Sequence, residues 1–418
     1  MNSRGLISDR LRSSKMFRSL RHRNYRLFFA GQLLSLTGTW IQMVAQSWLV
    51  YDLTHSALWL GIVGFLGSIP TLLFAMLGGA VADRFEKKRV LLLTQSIAAL
   101  QAFALACIVW QHWATPLLVG FFALLLGVVN AFDAPSRLSF VIDMVGKEDL
   151  PNGVALNSAL FNSARMIGPA IGGVVIAAYG IGWCFFLNGI SFVAVITGLL
   201  LMKIERVNRR EVSSRSMFSE IREALSYIRQ HAIFAAIMIL VATVTIFGWS
   251  YSVLLPIIAD RILKTGALGL GRLLSATGIG ALAGALTVAS KVSEIQPRKL
   301  LYTGLMIFVI AVFCFTLSNT PALAMLSLVG VGFGLVSFFS TANATLQRNA
   351  PDHLRGRIMG LYTLVFTGLF PFGSLAIGML GDRLGPQKTI RLGAMICSLM
   401  GALVYSRMRR NRLAGAAS

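Results

Sequence analysis

The chain has 418 residues, of which 56% are hydrophobic and only 13% are Asp, Glu, Lys or Arg, about half the charged share of an ordinary soluble domain. A water-soluble fold of this length cannot hide so much apolar side chain, so the bilayer is its expected solvent. The net charge of +22 sits in short clusters between apolar runs, which reads as Lys and Arg held on one side of a membrane rather than as a nucleic-acid surface.

A helix crossing the hydrocarbon needs ~20 mostly apolar residues. In chain order the sequence predicts α1 over 25–50, α2 over 57–82, α3 over 89–111, α4 over 115–136, α5 over 153–179 and α6 over 182–203. After the longest polar stretch come α7 over 232–259, α8 over 267–290, α9 over 298–317, α10 over 321–346, α11 over 355–381 and α12 over 387–407. The expected fold is an all-α membrane protein of twelve transmembrane helices in two pseudo-symmetric six-helix bundles, 25–203 and 232–407. A basic segment 1–24, a linker 204–231 and a basic tail 408–418 flank and join them. The first 24 residues lack the apolar stretch of a cleavable signal.

Charge tests the count. With both termini cytoplasmic, 31 of the 38 Lys and Arg fall on the cytoplasmic side and 6 on the other, while Arg165 lies inside a helix. That asymmetry is the one the positive-inside rule demands, and an odd number of spans would scramble it. The halves also echo each other. Gly168, Gly173 and Gly180 correspond to Gly373, Gly378 and Gly385, and Ala57, Leu58 and Gly61 to Ala267, Leu268 and Gly271. A six-plus-six duplication is the plan of transporters that rock two halves around a midplane site.

The loop after α2 reads Gly78-Gly79-Ala80-Val81-Ala82-Asp83-Arg84-Phe85-Glu86-Lys87-Lys88-Arg89. This G-x-x-x-D-R-x-x-K-K run resembles the signature loop of the major facilitator superfamily, with Glu86 where that family often has glycine. The resemblance implies a cytoplasmic gate made by Gly79, Asp83, Arg84, Lys87 and Lys88, with α2 touching α11 and the carboxylate facing a helix N-terminus, where the dipole favours an anion. Further motifs narrow it: Asn24-Tyr25-Arg26, Gly31-Gln32-Leu33, Gln46-Ser47-Trp48-Leu49-Val50-Tyr51, Ala134-Pro135-Ser136-Arg137, Leu150-Pro151-Asn152, Asn162-Ser163-Ala164-Arg165 and Gly168-Pro169-Ala170-Ile171-Gly172-Gly173. These resemble the branch of that superfamily holding enterobactin and macrolide exporters. The branch implies export across a bacterial cytoplasmic membrane in exchange for protons. Gly378, Asp382, Arg383 and Gly385 repeat the loop pattern, but the helix count puts them on the outer face, where a polar turn is expected.

In α1, Gln32, Ser35, Thr39, Gln42 and Gln46 are spaced to share one face. Lipid disfavours such a stripe, so it is expected either to line a water-filled cavity or to bond to neighbouring helices. Asn130 and Asp133 on α4, Trp249 and Tyr251 on α7, and Ser340 and Asn343 on α10 complete the candidate lining; in the superfamily α1, α4, α7 and α10 face the central cavity. A mix of amide, hydroxyl and aromatic groups suits an amphipathic organic molecule better than a bare ion. The candidates for energy coupling are Asp133, its i+4 neighbour Arg137, and Arg165 near mid-depth of α5; Asp133 is favoured because the arginine often found on α4 of proton antiporters is replaced by Ala123, four residues before Gly127. Gly168, Pro169 and Pro371 are candidate hinges, since proline removes a backbone donor.

Cys107, Cys184, Cys314 and Cys397 lie singly in apolar runs, so neither disulfide nor metal site is expected. There is no G-x-x-x-x-G-K-[ST] phosphate loop and no clustered catalytic set, so the chain is expected to be no enzyme and to need no cofactor. Its expected partners are a small-molecule substrate, membrane lipid and protons, not nucleic acid, and it is expected to be a monomer. A lipid or lysolipid flippase of the same fold and a transport-inactive sensor or scaffold are the alternatives.

Overall fold

A computed structural model describes residues 15–203, 217–291 and 296–416. The basic segment 1–14, the linker stretch 204–216 and the last two residues of the tail lie outside the described residues. The spans run α1 Arg23–Thr54, α2 Ala57–Arg84, α3 Lys87–Trp110, α4 116–145, α5 147–179, α6 Ile181–Leu201, α7 Ala232–Ile262, α8 Gly266–Lys291, α9 Pro297–Leu317, α10 Pro321–Asn349, α11 Arg355–Leu384 and α12 Pro386–Ala416. No strand occurs among the described residues.

Local sequence sets several helix ends, and does so twice. Thr115 caps α4 by accepting from Leu118 N ahead of Pro116, and Thr320 caps α10 by accepting from Leu323 N ahead of Pro321. The hydroxyl satisfies one orphan amide, and proline is tolerated where the helix needs no donor. Gly180 and Gly385 end α5 and α11 with φ of 93° and 82°, a conformation that glycine adopts without penalty.

The run Pro116–Tyr179 is helical throughout except at Gly146, where φ is 73° and ψ 178°. An unbroken helix of that length would be ~96 Å long, three times the ~30 Å hydrocarbon. Gly146 therefore divides two spans. Residues 137–152, expected to be a loop, continue both helices beyond the membrane. Their charges are paired there: Lys87 Nζ lies 2.9 Å from Asp143, and Arg18 Nε and His22 Nε2 lie 2.6 and 2.8 Å from Asp149. In the linker, Met217–Gln230 forms an amphipathic helix. It buries Ala224 and Ile228, sets Tyr227 edge-on against Phe234 of α7, and pairs Glu223 with Arg357 of α11.

An even span count puts both chain ends on one face, the terminal face. At the opposite, far face the two bundles meet backbone to backbone. A Cβ on Gly61 of α2 would lie 2.7 Å from the Ser374 carbonyl and 3.0 Å from Gly378 Cα on α11; one on Gly173 of α5 would lie 3.1 Å from Gly271 Cα on α8. These four glycines belong to the sequence repeat, so each duplicated glycine meets its counterpart's partner. Towards the terminal face the same helices part. A Cβ on Gly79, Gly356 or Gly360 would meet nothing within 4 Å, and Leu73 and Leu77 are 63% and 55% exposed. The bundles thus enclose a cleft that is shut at the far face and open at the terminal face.

Candidate functional site

The far face is closed by polar contacts as well as by glycine. Asp382, at the end of α11, receives Ala57 N at 2.6 Å on Oδ1, and Ser56 Oγ at 2.7 Å and Leu58 N at 3.2 Å on Oδ2. It therefore caps the N-terminus of α2 across the bundle interface, where orphan amides and the helix dipole both favour a carboxylate. The expected polar turn at Asp382 is corrected: the second copy of the loop pattern is a capping site between bundles. Tyr51 on α1 adds a hydrogen bond to Asp260 at 2.8 Å, and Arg261 donates to His55 O at 2.9 Å.

Among the described residues, the loop between α2 and α3 makes polar contacts only within its own bundle. Asp83 and Arg84 are exposed without a polar partner among the described residues, Lys87 holds Asp143 and Ser139 O, and Lys88 donates to Met202 O at 2.9 Å. Gly79 stands clear of α11.

Inside the first bundle, Asp133 is 3% exposed and fully engaged. Oδ1 accepts from Thr94 Oγ1 at 2.9 Å and from Gln95 Nε2 at 2.8 Å, and Oδ2 lies 3.5 Å from Arg137 Nε. Arg137 donates onward to Gln32 Oε1 at 3.0 Å. One network thus joins α1, α3 and α4. Arg137 also lines a cavity of about 250 Å³ with Leu36, Leu138, Asn157, Phe161 and Asn162.

Gln32, Ser35 and Gln42 were candidates for the cavity wall, but they are 2%, 3% and 2% exposed and lie between helices. Gln42 Nε2 donates to Gln101 Oε1 at 3.2 Å, and its Oε1 accepts from Asn188 Nδ2 at 2.7 Å. The physical reason is the neighbouring helices: α3 and α6 each present an amide to α1, so the upper stripe bonds helices together rather than facing water. Thr39 bonds its own chain at Ser35 O, and Thr39 and Gln46 are half-buried. Gln42→Ala is expected to lower the thermal stability of the purified protein by about 1–2 kcal/mol, because two buried amides lose their partner. Transport per folded molecule should stay near wild type; a fluorescence melt beside a flux assay checks both.

The second bundle carries an aromatic cluster on α7, α10 and α11. The backbone of α7 leaves regular α-helix near its middle, with wider turns over Val244–Gly248 and a tighter one over Trp249–Leu254. Such irregular turns recur at functional positions. Here the irregularity presents Trp249 to Phe366, stacked at 5.0 Å, with Phe370 at 5.3 Å and Phe339 at 6.0 Å. Tyr251 is 3% exposed and lies beside Thr277 on α8. Ser340 and Asn343 on α10 are half-buried, with Asn343 Oδ1 accepting from Gln347 at 2.8 Å, while Asn130 on α4 is exposed. Arg165 sits between the bundles, 5.9 Å from the Trp40 ring centroid. Gly168 packs on Trp40 and Thr37, Pro169 lies beside the α5–α8 contact, and Pro371 follows an interruption of α11 at Leu369. Among the described residues no His, Cys, Asp or Glu cluster fits a metal.

Among the described residues, twelve spans in two bundles around a one-ended cleft define a multi-pass membrane transporter of the major facilitator type. The chain belongs to the transmembrane secretion effector family of that superfamily, which matches residues 14–416. It is 27% identical over 379 residues to the staphyloferrin A transporter of Staphylococcus aureus, covering 88% of this chain and 92% of that one. It is 27% identical over 402 residues to the multidrug efflux pump Tap of Mycolicibacterium fortuitum, covering 93% and 97%, and 25% identical over 400 residues to the enterobactin exporter of Salmonella typhi, covering 94% of each. Among solved structures, a nucleoside transporter matches with a TM-score of 0.75 at 13% identity over 92% of this chain and 99% of that one. A bacterial homologue of the lysosomal transporter Spinster, captured inward-facing and unoccupied, matches at 0.74 and 12% over 92% and 97%. At such identities these two speak for the fold.

Proposed function

We propose that this chain exports an amphipathic small molecule, of the drug or siderophore kind handled by its relatives, from the cytoplasm by alternating access coupled to protons. The cleft between the bundles carries this proposal: glycine pairs and the Asp382 cap close it at one face, and it is open and lined by polar and aromatic groups at the other. The positive-inside asymmetry supports assigning the open face to the cytoplasm. Substrate enters there and lodges between the Asn130 and Gln46 side and the Trp249 side. Rocking then parts the far-face glycines and brings the loop of Asp83, Arg84, Lys87 and Lys88 towards the start of α11 at Arg355. The freed Asp83 carboxylate would meet the N-terminal dipole of α11, the mirror of what Asp382 does for α2. Gly168, Pro169 and Pro371 are the points at which α5 and α11 would bend.

A fluorescent amphiphile and a catecholate siderophore, each loaded into proteoliposomes, supply the test. Flux of either driven by a proton gradient is the expected result; flux of neither overturns the proposal. We put the proton path at Asp133, among the described residues the one carboxylate inside a bundle with an internal cation beside it. Asp133→Asn is expected to abolish substrate-driven proton movement while substrate binding persists within about threefold. Unchanged proton stoichiometry in that variant would move the coupling site elsewhere.

A further inference from the structure

Arg165 lies 18 residues after the start of α5 and 14 before its end, about 27 Å and 21 Å along the helix axis, so it sits near mid-depth. Around it stand Trp40 of α1, whose ring it approaches at 5.9 Å, and Tyr251 of α7 on the facing bundle. Main-chain atoms of Arg165 and Met166 press on Gly278 of α8, which fixes this stretch of α5 against the second bundle. The side chain is half-buried, and among the described residues it makes no hydrogen bond and no ion pair. Asp133 and Arg137 neutralise each other, and α1, α5, α7, α8, α10 and α11 carry no Asp or Glu between the membrane faces apart from end residues such as Asp52, Asp260 and Asp382. Among the described residues, Arg165 is therefore a positive charge at the meeting of the bundles with no acid beside it.

A guanidinium at this depth is strongly disfavoured unless something meets it. The Trp40 ring lies 5.9 Å from the guanidinium carbon, but a ring face offers no oxygen to its five N–H donors. That edge is a fork shaped for two oxygens of a planar anion. We propose that Arg165 receives the anionic group of the transported molecule, a carboxylate or a group of like geometry, and that the substrate is an amphipathic organic anion rather than a cation. Its apolar body would rest on Trp249, Phe339 and Phe366 across the cleft. The inference rests on the export reading and adds the sign of the cargo's charge.

Three probes of one shape and three charges test it: 2-naphthoate, 2-naphthamide and (2-naphthyl)trimethylammonium, titrated calorimetrically into the purified full chain. Wild type should bind the carboxylate about tenfold or more tighter than the amide and the cation most weakly. Loss of a charge-assisted pair lowers affinity by about 10- to 100-fold, so Arg165→Gln should lose that factor for the carboxylate and leave the amide unchanged, with Arg165→Lys regaining part of it. Equal affinities for the three, absence of carboxylate binding at millimolar concentration, or an equal loss of amide and carboxylate in Arg165→Gln overturns the proposal. Proteoliposome flux separates the two readings: charge-selective binding without flux removes export and leaves the anion site, whereas flux without charge selection removes the anion site and leaves export.

Discussion

Gly61→Leu is expected to cut transport at least tenfold while the protein still folds. The substituted Cβ alone would stand 2.7 Å from the Ser374 carbonyl and 3.0 Å from Gly378 Cα, and neither is a side chain that can swing aside. Overpacking of this kind costs about 1–3 kcal/mol or more. In a carrier whose two states are closely balanced, that shifts their ratio by roughly ten- to a hundredfold. The far face should then stay open, which alkylation of a cysteine introduced near Ser56 from the outside would report as faster labelling. Flux within twofold of wild type together with unchanged labelling would remove the glycine contact from the cycle.

Asp382→Ala should weaken the same closure by a different route. It deletes an acceptor of three hydrogen bonds at the start of α2, two of them from main-chain amides. Loss of a capping side chain costs about 1–2 kcal/mol, and the helix dipole adds a few tenths to 1 kcal/mol. Transport is expected to fall about tenfold, with Asp382→Asn intermediate because its amide oxygen still accepts one bond. A change confined to thermal stability, with flux and outside labelling preserved, would mean that the cap holds the fold and not the gate.

The spans were legible because each needs a long apolar run, and the observed ends extend the expected ones by only a few residues at most positions. The duplicated glycines were legible as a repeat, but what they touch was not: Gly61 meets a helix more than three hundred residues away, a distance that no local spacing encodes. The same holds at Gln42. Its polar stripe was plain, yet whether it faced water or amides depended on Gln101 and Asn188 in two other helices. Asp382 was discounted because its motif was judged by the loop it copies; the structure shows the useful feature to be a carboxylate beside a helix start, available on either face. Residues 137–152 were expected to be a loop because they are charged. On either side of Gly146 they are helical, with Asp143 paired to Lys87 and Asp149 to Arg18 and His22. The irregular winding of α7 around Trp249 has no signal in composition at all.

The break at Gly146 has a mechanical consequence. One residue joins α4 to α5, with helix running up to it on both sides and no slack between them. α4 carries Asp133 and Arg137; α5 carries Arg165 and, at its distant end, Gly173. A tilt of α4 at the acid or its arginine therefore reaches α5 through a single residue. Arg165 stands on the near side of the Gly168 and Pro169 bend and Gly173 on the far side, so the cation and the glycine that closes the far face are divided by a joint of their own.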